Sequence, residues 1–165
     1  MYDNMMNKFK WGGIETSDIY LDENCLRMLS NIRNNFGNLA EALVKEGKQD
    51  SARRVMERCL ELFPDEKVPF DFYMLSLVEN YYRLNDIEKA EEIANGILGN
   101  TYQDVEYLLS LEHKYADYLS LERRIAAHVL SELSRMSYNY NDKKFSASIQ
   151  QRLEDYGPGL NAIFK

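Results

Sequence analysis

The sequence predicts an all-α fold of antiparallel helix hairpins stacked as a short repeat array, with a non-helical strap at the N-terminal end. Three observations predict it. From Asp22 onward, apolar residues recur at steps of three and four, which gathers them on one face of a helix. Glycine, Asn-Asp pairs and proline interrupt that pattern at intervals that suit hairpins. No segment alternates with a period of two for long enough to make a strand.

The strap comes first, over residues 1–21. It holds the only tryptophan, Trp11, beside Phe9 and Ile14, followed by Gly12-Gly13. Burying a ring of that size stabilises by about 1.5–3 kcal/mol. The segment is therefore expected to be ordered, running in extended form across the outside of the first helices with Trp11 packed against them. The two glycines let the backbone turn sharply just after the ring. Asp22 is expected to cap the first helix, where a carboxylate also meets the positive end of the dipole.

The helical region, 22–165, follows. Leu26, Leu29, Ile32, Phe36, Leu39, Ala40 and Leu43 make the first stripe, closed by Gly47. Asp50 is expected to cap the second helix, whose stripe is Ala52, Val55, Met56, Cys59, Leu60 and Phe63. Pro64 stops it. Pro69 delays the third helix until Asp71, and Met74, Leu77, Val78, Tyr81 and Tyr82 form its face. After the turn at Asn85-Asp86, a fourth helix carries Ile87, Ala90, Ile93, Ala94, Ile97 and Leu98, with Gly99-Asn100 expected to end it. A long pattern from Val105 to Met136 predicts one long helix or two nearly collinear ones. A turn at 139–142 and a last helix at 143–156 complete the array. Gly157-Pro158-Gly159 stops that helix, and the apolar tail 160–165 is expected to dock back.

Two windows of 34 residues, 33–66 and 71–104, resemble the tetratricopeptide repeat. In the first, Phe36, Leu39, Ala40, Leu43, Gly47, Ala52 and Pro64 fall at the repeat's places. The small Ala52 lets two helices approach, and the large residues fill the space beside it. In the second, Leu77, Val78, Tyr81, Ala90, Ala94 and Leu98 keep register. Asn85 stands where the glycine belongs and Tyr102 replaces the proline. Ala52 and Ala90 are 38 residues apart, so the segment Lys67-Val68-Pro69-Phe70 is an inserted linker. The helices over 105–156 read as a degenerate continuation, with Ala147 as the small residue of a third unit.

A second resemblance covers most of the chain. The stretches 1–15, 20–24, 27–36 and 63–71 are similar to the soluble C-terminal region of a family of multi-pass membrane proteins related to protein O-mannosyltransferases. That resemblance implies that Met1 is a cut point and that the glycosyltransferase chemistry lies in the membrane part. It implies a region tethered to a membrane, with the periplasm as the expected side. It carries no catalytic residue onto this chain.

Composition narrows the function classes. The net charge of −7 repels phosphate backbones and anionic lipid, and Lys143-Lys144 is too small a basic patch to override it. No nucleic acid is expected as a partner, nor membrane insertion by this segment, since no apolar run reaches the length of a span. Twelve tyrosines favour a packed domain. Cys25 and Cys59 are expected as two buried thiols, with a disulfide left open.

No catalytic, cofactor-binding or metal-binding residue is expected, and the chain does not read as an enzyme. His113 and His128 are about four helical turns apart and cannot share a metal. Asp18, Asp22 and Glu23 could hold a cation, but helix capping explains Asp22 and Glu23 better. What remains is surface. The repeat resemblance implies a groove lined by Asn34, Glu41, Val44 and Lys45 from the first unit and by Phe72, Leu75, Glu79, Tyr82 and Arg83 from the second. Its expected occupant is a protein or peptide segment, including the membrane part of the same protein; the long C-terminal helix is the competing one. The alternative function is a glycan- or substrate-handling appendage, with Tyr102, Tyr107, Tyr138 and Tyr140 as stacking residues.

Overall fold

A computed structural model describes residues 1–14, 19–111 and 119–156. Among them, six α-helices occur and no strand: α1 (Glu23–Lys45), α2 (Gln49–Leu62), α3 (Leu75–Arg83), α4 (Ile87–Ser110), α5 (Ser120–Asn139) and α6 (Lys143–Tyr156). One π-helical turn, Asn4–Lys8, lies before them, and a 3-10 turn, Phe72–Met74, leads into α3. The fold is all-α, as the periodicity predicts. The chain divides into two compact units, residues 1–93 and 94–165.

In the first unit α1 packs on both α2 and α3. Asp22 caps α1 through Oδ1, which accepts the Cys25 N–H at 2.8 Å. The buried face of α1 starts at Ser30 and continues through Arg33, Phe36, Leu39, Ala40 and Leu43. Leu26, Leu29 and Ile32 are only half-buried. On α2, Ala52, Val55, Met56, Cys59 and Leu62 are fully enclosed, so the small residue sits in the core as its place requires. Asp50 is in the first turn of α2 but does not cap it. The cap position is Lys48, whose side chain makes no capping bond.

Over residues 1–14 the strap is folded onto the first hairpin. Gly12 and Gly13 have φ of 68° and 74°, a left-handed pair that turns the chain, and the Ile14 N–H donates to the Trp11 carbonyl at 3.3 Å. The Trp11 ring lies 5.7 Å from Phe36 and 5.7 Å from Phe63, with Phe9 at 5.8 Å on its edge. Lys67 Nζ donates to the Ile14 carbonyl at 2.9 Å. Two details differ from the expected strap. It is not extended throughout, because Asn4–Lys8 closes a helical turn that buries Met5. Residues 15–18, with Asp18, lie outside the described residues.

Three hairpin turns share one hydrogen-bond pattern. At Gly47, the Gly47 N–H reaches the Val44 carbonyl at 3.0 Å and the Lys48 N–H reaches Leu43 at 2.9 Å. At Asn85, the Asn85 and Asp86 N–H groups reach Tyr82 and Tyr81, both at 2.9 Å. At Asn141, the Asn141 and Asp142 N–H groups reach Tyr138 at 3.1 Å and Ser137 at 2.8 Å. The residue at the bend has φ of 74°, 58° and 57° respectively, which glycine adopts freely and asparagine tolerates. Asp86 and Asp142 then turn their carboxylates onto the next helix, accepting from Lys89 N–H at 3.4 Å and Phe145 N–H at 3.0 Å.

The expected end of the fourth helix is corrected. Gly99-Asn100 does not end α4, which continues to Ser110. A Cβ at Gly99 would meet nothing within 4 Å, so this glycine serves no close approach and costs the helix only about 1 kcal/mol. Ile97, Leu98, Thr101, Tyr102, Val105 and Leu108 keep one buried stripe through it, and that burial outweighs the cost. The stretch expected to be one long helix or two nearly collinear ones contains the end of α4 and α5, and residues 112–118 between them, including His113, lie outside the described residues. In the second unit α5 packs on α6. The small residue five places after Asn141 is Ser146, half-buried; Ala147 is exposed and is not the contact residue. The segment 157–165, with its expected stop and docking tail, lies outside the described residues.

Candidate functional site

The face shared by α1 and α3 is the candidate site, and its foundation is a glycine. At Gly37 an added Cβ would overlap the Ser76 hydroxyl, stand 3.1 Å from Ser76 Cβ and 3.3 Å from Leu77 Cδ1. The two helices meet backbone to side chain at this point. Asn80, fully buried, donates through Nδ2 to the Gly37 carbonyl at 3.4 Å.

One turn further along, charge takes over from shape. Arg83 on α3 contacts Glu41 on α1 at 3.3 Å and Glu79 on its own helix at 3.0 Å. Lys45 reaches the same Glu41 carboxylate at 2.8 Å. Hydrogen bonds from Lys45 first, and Arg83 second, hold the Glu41 carboxyl below its ordinary value. Four of the nine expected groove residues are therefore joined in one network that crosses from α1 to α3. Asn34, Val44 and Phe72 are half-buried and remain partly open. Leu75 and Tyr82 are not: they are 6% and 4% exposed, belong to the buried stripe of α3, and cannot present their side chains to a partner.

Arg33 was not singled out by the sequence, yet it organises the edge of this unit. It is completely buried on α1 and its guanidinium donates to three main-chain carbonyls of the loop after α2: Phe63 at 2.8 Å, Pro69 at 2.8 Å, and Val68. Its Cζ stands 5.0 Å over the Phe70 ring. The inserted linker is thus held from inside by one side chain, and the Phe70 N–H is taken by Asp65 at 2.6 Å. Burial lowers the guanidinium's proton affinity, with Cys59, Asp71 and Asp65 opposing. Arg53 makes a second tie, from α2 to the next turn, through Asp86 at 2.6 Å and the Leu84 carbonyl at 2.9 Å.

The remaining candidates separate. Cys59 is buried, and desolvation pushes its thiol up to about 12. Cys25 is exposed, contrary to expectation, because it sits in the first turn of α1, ahead of the helix's packed stretch. Both are free thiols. His128 is exposed. Of the four tyrosines expected to share a face, Tyr107 and Tyr138 are exposed, Tyr140 is half-buried and Tyr102 is buried.

Each unit has one depression of note. One, of about 580 Å³, lies between the strap and α1. The other, also about 580 Å³, is polar and surrounds the α5–α6 turn, with Tyr138, Asn139, Asn141 and Asp142 in its wall. Among the described residues, no helix is long and apolar enough to cross a membrane. Compared with protein-family models, curated proteins and solved structures, the chain matches none.

Proposed function

We propose that this chain is a non-catalytic helical-repeat module of the tetratricopeptide kind that binds a protein or extended peptide along the α1–α3 face. On this reading it is the soluble C-terminal part of a larger membrane glycosyltransferase-like protein. The observation that carries it is the Gly37–Ser76 approach. It sets the first helices of successive hairpins side by side, so that Asn34, Val44 and Phe72 stand partly open beside a charged strip. Half-open apolar residues on either side of a strip of Arg and carboxylates suit a peptide whose side chains alternate between apolar and charged.

The test uses residues that are open to solvent. Val44→Arg with Lys45→Glu changes the face without touching the core. Partners captured by the wild-type chain should be lost by this variant at unchanged helicity. The same partners on both proteins would refute the face.

The polar depression with Tyr138 favours a second reading, a glycan-handling appendage in which that exposed ring stacks on a sugar. Tyr138→Ala should then abolish retention on an oligosaccharide matrix. Retention equal to wild type would remove this reading and leave the peptide reading standing.

A further inference from the structure

The depression between the strap and α1 is a pocket of a different chemistry. Met5, Phe9 and Trp11 from the strap and Ile32 from α1 supply its apolar wall, and Lys10 and Asn35 complete it on the solvent side. Its volume of about 580 Å³ falls in the range of small-molecule sites, which are apolar with a few polar groups that fix orientation. Trp11 is held in place by Phe36 and Phe63 behind it, so the wall is preformed on that side. Methionine side chains adapt to varied apolar shapes.

The charge pattern selects the ligand. Two lysines occur in the strap. Lys8 is neutralised by Asp3 at 2.6 Å. Lys10 has no ion pair among the described residues and lines the pocket. The Lys10 ammonium, without an ion pair among the described residues and beside an apolar wall, matches a negative charge on an apolar body. A phosphate or nucleotide needs more positive charge than this pocket offers.

We propose that this pocket binds an amphiphilic monocarboxylate of medium-chain alkanoate size. Its chain lies on Trp11, Phe9, Met5 and Ile32, and its carboxylate meets the Lys10 ammonium.

Decanoate, kept below its micellar concentration, is the probe. Trp11 is the only tryptophan, so its emission reports the pocket directly, and calorimetry reads binding independently of it. Decanoate should bind saturably by at least one of the two readouts. Lys10→Glu should weaken it at least tenfold. Decanol should bind more weakly than decanoate and be insensitive to Lys10→Glu. Asn35→Phe, which fills the open side, should abolish binding at unchanged helicity. The proposal fails if decanoate shows no saturable binding by either method, if Lys10→Glu binds it equally well, or if decanol binds as tightly.

Discussion

Gly37 on α1 and Ser76 on α3 approach so closely that a methyl group on the glycine would overlap the serine hydroxyl. An ordinary glycine in a helix is a weakness, and replacing it with alanine gains about 1 kcal/mol. Here the gain meets an overpacking cost of about 1–3 kcal/mol. Ser76 Cβ and Leu77 Cδ1 already stand at 3.1 and 3.3 Å from the new atom, and the Ser76 Cβ cannot move without its helix. Gly37→Ala is expected to lower stability by about 1–2 kcal/mol in urea unfolding, with Ser76→Ala in the same chain recovering part of the loss. A stabilised Gly37→Ala protein would mean that the helices do not meet there.

Arg33→Met should be the most damaging single change in the first unit. It removes the donors of three main-chain carbonyls, those of Phe63, Val68 and Pro69, and leaves the first two buried. A loss of about 3 kcal/mol or more is expected. Arg33→Lys should retain only part of the stability, because one ammonium cannot reproduce a planar fork. A Met variant within about 1 kcal/mol of wild type would show that the linker does not depend on this side chain.

How much of this was legible in the sequence depends on how local each cause is. The helices and their hairpin turns were legible, because stripe periodicity and left-handed bends are encoded within a few residues. Asn85 and Asn141 do what Gly47 does with the same carbonyl pattern. The end of α4 is not legible at Gly99-Asn100, because a glycine stops a helix only when the stripe stops with it, and Thr101, Tyr102 and Val105 continue it. The groove was half legible. Counting places in a regular repeat assigns Leu75 and Tyr82 to the surface. In the structure they lie seven residues apart with Val78 between them, on the apolar side of a helix entered through a 3-10 turn. Arg33 and Gly37 were illegible because their partners are between 30 and 43 residues away.

The Glu41 network predicts an acid response. Lys45 and Arg83 depress the Glu41 carboxyl in the folded state, so its contribution is fully present above the unfolded value near 4.5. It is lost as pH falls below 4.5 and through the lower folded value. The side chain is 37% exposed, so the effect is small, under about 1 kcal/mol, and is screened by salt. Melting curves between pH 6 and pH 3 should therefore differ less with pH in Glu41→Gln than in wild type, and least of all at high salt. An identical acid slope in the two proteins would place the titrating group elsewhere.

The two thiols should react in two phases. Cys25 is exposed and Cys59 is buried, so a thiol reagent is expected to modify one cysteine in the native protein and both in urea. The hydrogen bond and charge of Asp22 raise the Cys25 thiol. Asp22→Asn keeps a capping side chain and removes the charge, and should speed the native reaction. An unchanged rate would show that Asp22 does not govern the thiol, and two fast thiols in the native protein would contradict the burial of Cys59.

The packed strap matters most, because the pocket requires Trp11 to lie against both Phe36 and Phe63. Acrylamide quenching of the single tryptophan tests it most directly. Blue-shifted emission is expected, quenched several-fold less efficiently in the native protein than in the urea-unfolded chain, with the protection lost together with helicity. Red-shifted emission quenched as readily in the folded protein as in the unfolded one would contradict it.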